Sequence, residues 1–187
     1  MSEQIVCPVW IGYLLASPVR RLFDNPETIL SNYVKEGMTV LDMGCAMGFF
    51  SIPMARMTGP GGKVVCVDLQ EKMLRSLEKR AKKAAVMDRI ELRTCSSTDL
   101  GIEDLEDSAD FALAMAVVHE TPDINAFLSS IFNAVRPGGR LLVAEPAGHV
   151  TQDDFEETLT CARNIGFNIT GHPEIRRYLT VLLQKPI

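Results

Sequence analysis

Residues 40–51 contain side chains and backbone that could hold a charged ligand. The apolar start of this stretch has the composition of a buried strand, and Gly44 and Gly48 lie where the chain must turn tightly into a helix. Together with Ala46 they leave room for a cofactor beside the main chain, and Asp42 adds a negative charge at the strand end. That carboxylate would repel a phosphate, whereas it would attract an ammonium or sulfonium group where water is partly excluded.

A second acidic residue follows at the spacing expected of a nucleotide site. Residues 63–67 form the next apolar run, and Asp68 at its end lies 20 residues beyond Gly48. A carboxylate in that position can accept hydrogen bonds from ribose hydroxyls. The dinucleotide fingerprint would need glycines at positions 44, 46 and 49, but Ala46 and Phe49 occupy the last two. A nicotinamide cofactor is therefore the less favoured interpretation.

Alternating strand and helix patterns would position these residues. Apolar runs predict strands that begin near residue 40 and cover residues 63–67, 89–94, 110–118, 140–145, 167–170 and 178–184. Helical spacing and capping residues predict helices over residues 26–34, 49–57, 70–85, 121–135 and 152–164. In such sheets ligands bind beyond the carboxyl ends of the strands, which is where Asp42 and Asp68 fall.

Composition limits the class of protein. A chain of 187 residues with 47% apolar residues predicts one domain over residues 1–187, with an N-terminal arm (1–24) and a core (25–187). The net charge of −5 argues against a general nucleic-acid binder. The five cysteines lack paired spacing, and no apolar run is long enough for a membrane span or follows a basic N-terminus. We therefore expect a reduced, cytoplasmic protein without a membrane segment or a metal site.

Four segments resemble the class I S-adenosyl-methionine-dependent methyltransferases. They are Val40–Gly48, Val67–Asp68, Asp110–His119 and Arg136–Val143. The resemblance extends from about residue 25 to the C-terminus and implies an α/β fold, a three-layer αβα sandwich. Its sheet would be mostly parallel, seven-stranded and doubly wound, with a C-terminal antiparallel hairpin. Two departures are Ala46 in place of the family's middle glycine and Ser96-Ser97 where many members carry Asp-Ala.

This resemblance implies S-adenosyl-L-methionine as the cofactor. The residues predicted to contact it are Asp42, Gly44, Cys45, Ala46, Gly48, Asp68, Leu69, Ser96, Ser97 and Ala116. Ser96 could bond the adenine amino group, although as a neutral and shorter acceptor than aspartate. In the family, N-terminal segments often form a lid over the cofactor, so Tyr13, Arg20 or Arg21 could reach its carboxylate. Alternatively, Trp10, Tyr13 and Phe23 only anchor the arm to the body.

Histidine and glutamate residues at strand ends are the candidate catalytic residues: His119, Glu145 and His149. Methyl transfer from a sulfonium needs alignment, exclusion of water and, for some acceptors, removal of a proton. Either histidine could be the base for an oxygen or nitrogen acceptor, because histidine titrates near neutral pH. Glu120 or Glu145 could orient that base or hold a cationic acceptor. Alternatively, His119 and Glu120 cap the turn after the strand, and Glu145 bonds loop backbone.

The predicted helix over residues 70–85 carries a group of basic side chains. They are Lys72, Arg75, Lys79, Arg80, Lys82 and Lys83. Their spacing favours the solvated face of an amphipathic helix over a surface for RNA or phosphate.

Four functions stay open. A methyltransferase for a small-molecule acceptor is favoured, because the chain is nearly all core fold and leaves only short loops and the arm for an acceptor pocket. The basic helix is the one hint of an RNA or protein acceptor reached with a partner. A thiol or metalloid acceptor could bind Cys7, Cys45 or Cys161. The fourth is a cofactor-binding subunit without catalysis. No nucleic acid is expected as a partner, and a homodimer is considered.

Overall fold

The computed structural model describes residues 24–187. The chain divides into two compact units, of which the first ends at Cys95 and the second spans Ser96–Ile187. The arm predicted over residues 1–24, with Trp10, Tyr13 and both of its arginines, falls almost wholly outside the described residues. One domain over residues 1–187 stays a prediction.

The described part of the first unit alternates helices with parallel strands. The strands are β1 (Thr39–Met43), β2 (Lys63–Asp68) and β3 (Ile90–Thr94), in the spatial order β3-β2-β1. The helices are α1 (Pro26–Leu30), α2 (Ser51–Met57) and α3 (Glu71–Lys83). Asn25 caps α1, as its side chain accepts hydrogen bonds from backbone N–H groups in the first turn. The helix ends before the predicted residue 34.

The register of β1 and β2 brings their carboxyl ends together. Asp42 lies opposite Cys66, and Met43 lies opposite Val67. Nearly every residue of the two strands is buried, as expected for parallel strands covered by helices. Asp42 and Asp68 are therefore acidic residues near the carboxyl ends of two largely buried strands.

The second unit combines parallel and antiparallel pairing. Its strands are β4 (Ala109–Met115), β5 (Val135–Pro146), β6 (Asn168–Gly171) and β7 (Tyr178–Gln184), in the order β4-β5-β7-β6. Its helices are α4 (Ile124–Ala134) and α5 (Gln152–Ile165). β4 runs parallel to β5, whereas β7 is antiparallel to both β5 and β6. The predicted C-terminal hairpin is thereby confirmed.

Two strand boundaries differ from the predicted ones by more than one residue. β4 ends at Met115 instead of residue 118, because Ala116 adopts a left-handed conformation with φ of +57° and a 3₁₀ turn, Val118–Glu120, follows. β5 begins at Val135 instead of residue 140, and a register shift between Ala109 and Phe111 accommodates the extra residues. The first difference matters for the site, because it turns the chain sharply just before His119.

Residues 24–187 have the predicted α/β class, with seven strands that are mostly parallel, a C-terminal antiparallel hairpin and flanking helices. None of the helices in this described range has both the length and the apolar composition that a bilayer crossing requires.

Candidate functional site

The turn after β1, residues 44–48, is called the glycine loop here. Gly44, Ala46 and Gly48 all have left-handed backbone conformations, with φ of 69°, 46° and 79°. Glycine adopts this region freely, whereas an alanine pays a steric cost of roughly 1–2 kcal/mol. The tight turn expected from the glycines is present, and Ala46 takes the same kind of conformation.

Hydrogen bonds tie the glycine loop to the end of β2. The N–H groups of Gly44 and Cys45 donate to the Val67 carbonyl over 2.9 and 3.1 Å. The Ala46 N–H donates to Oδ2 of Asp68 over 2.8 Å. The two motifs that the sequence related only by spacing are therefore in direct contact.

The Asp68 carboxylate is nearly buried, with 8% of the residue exposed. Its Oδ1 accepts a 2.8 Å hydrogen bond from the Gln70 N–H, while Oδ2 binds Ala46. Burial raises the pKa of Asp68, and the two N–H donors oppose that rise. Each oxygen keeps a further lone pair, so the carboxylate can still accept from a ligand hydroxyl.

Helix α3 contacts two adjacent residues of the glycine loop, Met47 and Gly48. A Cβ built on Gly48 would lie 2.1 Å from Cδ1 of Leu77, so a larger residue fits there only if the Leu77 side chain moves. One turn further along α3, Nη1 of Arg80 donates a 2.7 Å hydrogen bond to the Met47 carbonyl. The predicted solvated basic face is therefore wrong for Arg80, which is half-buried, whereas the other five basic residues of the predicted group are exposed. Sequence reasoning missed this contact because its acceptor is a backbone atom 33 residues away.

Substituting Gly48 should reveal how tightly α3 and the loop pack. We expect Gly48→Ala to lower the free energy of unfolding by about 2–4 kcal/mol, since it adds an overlap with Leu77 to the left-handed backbone cost. Gly37→Ala is the matched control, because Gly37 has φ of +81° and a Cβ added to it would have nothing within 4 Å. It should lose only about 1 kcal/mol. Urea unfolding measures both, and equal losses would contradict the packing account.

Asp42 is held inside the first unit beside the start of α2. The residue is 3% exposed, and one carboxylate oxygen accepts a 2.5 Å hydrogen bond from the Ser51 hydroxyl. Burial raises the pKa of Asp42 to about 7; the Ser51 hydrogen bond opposes this rise, and the charge of Asp68 adds to it. Ionising Asp42 in the folded protein therefore costs free energy, and a bound cation would stabilise the ionised carboxylate.

Leu69 and the serines follow the ends of β2 and β3. Leu69 is 39% exposed although it is a large apolar side chain directly after Asp68. The Cys95 N–H donates to the Asp68 carbonyl over 3.1 Å, which fixes the chain at the end of β3. Beyond it Ser96 and Ser97 are exposed, and the Ser96 N–H donates to the Asp99 carbonyl over 2.8 Å. Their contact with adenine stays a prediction.

In the second unit, Glu145 organises the turn that follows β4. The Ala116 N–H donates to the Ala144 carbonyl, which keeps the turn close to β5. Oε1 of Glu145 accepts hydrogen bonds from the N–H groups of Val117 and Val118 over 3.1 and 2.9 Å. The residue is 1% exposed. Its carboxylate therefore bonds loop backbone, which was one of the alternatives that the sequence left open.

The same carboxylate pairs with His119. Oε2 of Glu145 forms a hydrogen bond with Nδ1 of the His119 imidazole. The His119 side chain is 30% exposed. This hydrogen bond raises the pKa of His119 despite the opposing effect of burial. Because Nδ1 faces the carboxylate, a neutral ring carries its proton there and presents Nε2 as the basic nitrogen. Glu145 is thus a positioning residue, and His119 is the candidate base.

His149 has a different setting from His119. It is exposed, and its backbone N–H donates to the Pro146 carbonyl over 2.9 Å. Its ring has no hydrogen-bond partner among residues 24–187. Sequence reasoning treated the two histidines alike, whereas the geometry gives an orienting carboxylate only to His119.

Two cysteines of the described range, Cys45 and Cys161, have raised thiol pKa values. Cys45 and Cys66 are buried, and burial is the main reason that the pKa of Cys45 is raised well above its usual value. Burial also raises the pKa of Cys161. Within residues 24–187, no group of three or more potential metal ligands occurs. Cys7 lies outside this range.

A family model described as a methyltransferase domain matches residues 34–180. The chain belongs to the methyltransferase domain family. The predicted resemblance to a methyltransferase family is thereby confirmed.

Relatives of this methyltransferase-family chain carry names from quinone biosynthesis. It is 32% identical over 137 residues to the ubiquinone biosynthesis O-methyltransferase of Rhizobium etli, which covers 73% of this chain and 51% of that protein. It is 29% identical over 119 residues to the demethylmenaquinone methyltransferase of Oceanobacillus iheyensis, which covers 64% of this chain and 49% of that protein. The chain therefore spans about half the length of the curated relatives it matches.

The fold is also that of solved structures. A SAM-dependent methyltransferase from Aquifex aeolicus matches with a TM-score of 0.85 at 22% identity, over 96% of this chain and 99% of that chain. This likeness confirms the predicted fold class.

Proposed function

We propose that this chain transfers the methyl group of S-adenosyl-methionine to a hydroxyl group of a small molecule. The observation that carries the proposal is the hydrogen bond between the Ala46 N–H and Asp68, which joins the glycine loop to the acidic end of β2. A loop with bare backbone beside a fixed carboxylate suits a nucleoside that carries a positive charge.

The residues of the first unit fit this cofactor by their chemistry. Asp68 can accept from ribose hydroxyls, and the exposed Leu69 offers an apolar surface for the adenine ring. Asp42 would balance the positive charge of the methionine part. When bound, the cofactor supplies an electrophilic methyl group on its sulfonium.

The His119–Glu145 pair favours an acceptor that must lose a proton. A hydroxyl becomes a better nucleophile when a base within hydrogen-bond reach removes its proton, and Nε2 of His119 is held for that role. The Rhizobium etli relative is named as an O-methyltransferase of ubiquinone biosynthesis, which agrees with methyl transfer to an oxygen atom. The cytoplasmic location and the homodimer stay predictions.

Calorimetry with S-adenosylhomocysteine tests the cofactor assignment. We expect the parent chain to bind it and Asp68→Ala to bind at least about tenfold more weakly, because the substitution removes a hydrogen-bonding carboxylate and frees the Ala46 N–H. Asp88→Ala is the control, since the Asp88 side chain is 67% exposed. Absence of binding by the parent chain, or equal binding by Asp68→Ala, would contradict the assignment.

Turnover separates the enzyme from a non-catalytic subunit. We expect slow methylation of at least one phenol or catechol in a panel of small acceptors, measured by transfer of labelled methyl. Binding of the cofactor without turnover of any acceptor would favour the non-catalytic alternative.

A further inference from the structure

Arg80 makes a contact unlike those of two other basic side chains on α3. Arg75 and Lys82 each pair with a glutamate four residues earlier, Glu71 and Glu78, on the exposed face of the helix. The positions four residues from Arg80 are Ser76 and Ala84, so no such pairing is open to it. Its guanidinium reaches the Met47 carbonyl instead.

The Met47 carbonyl lies at the centre of the least regular part of the glycine loop. Ala46 before it and Gly48 after it are both left-handed, so the intervening peptide groups belong to neither the strand nor α2. A hydrogen bond from a charged donor over 2.7 Å is short and strong, and it fixes the direction of this carbonyl. It thereby also fixes the orientation of the peptide plane that leads into Gly48.

Arg80 acts together with a second residue on the same face of α3. Leu77 lies three residues earlier and packs where a Cβ of Gly48 would be. The apolar contact blocks the loop from moving toward α3, and the hydrogen bond blocks it from moving away. A third contact of the loop is the Ala46 N–H, which donates to Asp68.

We infer that Arg80 is a positioning residue for the cofactor: it holds the glycine loop in its binding shape through the Met47 carbonyl. The identity of the ligand in this inference rests on the proposed function. The effect of Arg80 on the shape of the loop does not depend on it. Arg80 acts through the loop backbone and is not assigned a contact with the cofactor.

Binding and hydrogen exchange test the inference together. We expect Arg80→Ala to bind S-adenosylhomocysteine about tenfold more weakly and to show a raised KM for S-adenosyl-methionine with kcat nearly unchanged. Arg80→Lys should recover most of the affinity, because an ammonium can still donate one hydrogen bond to Met47. Lys79→Ala is the matched control, since Lys79 is the exposed neighbour on α3, and it should bind like the parent chain.

Exchange is measured without any ligand. The amides of Ala46 and Gly48 are hydrogen-bonded to Asp68 and to the Cys45 carbonyl, so they report on the loop directly. Arg80→Ala should speed their exchange at least about fivefold while the amides of β2 keep their protection. If exchange increases across the whole first unit, Arg80→Met replaces Arg80→Ala in the comparison, because methionine keeps much of the apolar stem and has no donor for the Met47 carbonyl.

The possible results are distinct. Unchanged affinity and unchanged loop exchange in Arg80→Ala would overturn the inference, and so would weaker binding without faster exchange. If the parent chain itself fails to bind, the proposed function is wrong, and the exchange of Ala46 and Gly48 still decides whether Arg80 holds the loop.

Discussion

Replacing His119 with alanine should lower the kcat for methylation of a hydroxyl acceptor by roughly 10²- to 10⁴-fold, the usual contribution of a positioned general base. The hydrogen bond to Glu145 leaves Nε2 as the basic nitrogen and raises the pKa of His119. Only the neutral ring can take a proton, so the rate should rise with pH through a midpoint above the ordinary histidine value of about 6.5. Initial rates over a pH series give this midpoint.

Glu145→Gln tests how that base is oriented. The amide oxygen can still accept from the Val117 and Val118 N–H groups, so the turn should be preserved. The amide N–H₂ group would then face Nδ1 and would force the ring proton onto Nε2, which removes the base. We expect kcat to fall at least about tenfold at every pH, with little change in the affinity for S-adenosylhomocysteine.

The second histidine provides the comparison. His149→Ala should change kcat less than about threefold, because no carboxylate among the described residues orients its ring. Thermal unfolding of all three variants checks that they are folded. An unchanged rate in His119→Ala would remove the general-base role, and a large loss only in His149→Ala would transfer that role to His149.

Replacing Asp42 with asparagine should make the protein more stable at pH 8 and weaken cofactor binding. The native carboxyl has a pKa of about 7, against an ordinary value of 3.8, mainly because it is buried. Ionising it in the folded state therefore costs roughly 4 kcal/mol at pH 8 relative to the unfolded chain. An asparagine keeps an acceptor for the Ser51 hydroxyl and avoids that cost.

The sign of the pH dependence follows from the raised pKa. Below pH 3.8 Asp42 is protonated in both states and has no effect on stability. Between 3.8 and about 7 only the folded state keeps the proton, so this group makes stability fall as pH rises, and above about 7 the loss is complete. The stability gained in Asp42→Asn should therefore be greatest at pH 8 and shrink toward pH 5.

Urea unfolding at pH 5 and pH 8 measures this difference, and calorimetry measures the affinity. Glu157→Gln on α5 is the control, because Glu157 is exposed and should show no gain at either pH. Equal stability of Asp42→Asn and the parent chain at pH 8 would contradict the buried charge. Unchanged affinity of Asp42→Asn for S-adenosylhomocysteine would show that Asp42 does not contribute to cofactor binding.

Sequence alone predicted the parts of the fold and site that follow local rules. The apolar runs of β1 and β2, the glycines between β1 and α2, and the cap at Asn25 all depend on neighbouring residues. The link between the glycine loop and Asp68 could be predicted because parallel strands end at the same edge. The identity of its atoms, an Ala46 N–H and a carboxylate oxygen, could not.

What escaped prediction depends on backbone atoms that are distant in sequence. Arg80 has the same charge and helical setting as its exposed neighbours, and only folding brings the Met47 carbonyl to it. Glu145 meets Val117 and Val118 because Ala116 turns left-handed at the end of β4, a conformation that alanine rarely adopts. The same turn brings His119 to Glu145, whereas nothing in the sequence alone favoured His119 over His149 as the base.

The alanine at position 46 has a consequence for the free protein. A glycine there would sample many backbone conformations whenever the nucleoside is absent, whereas a methyl group forbids most of them and the surrounding contacts select the left-handed one. The loop of the free protein therefore keeps a narrow conformational ensemble. Less chain entropy then has to be lost if the proposed nucleoside cofactor binds to this loop, which would favour tighter binding.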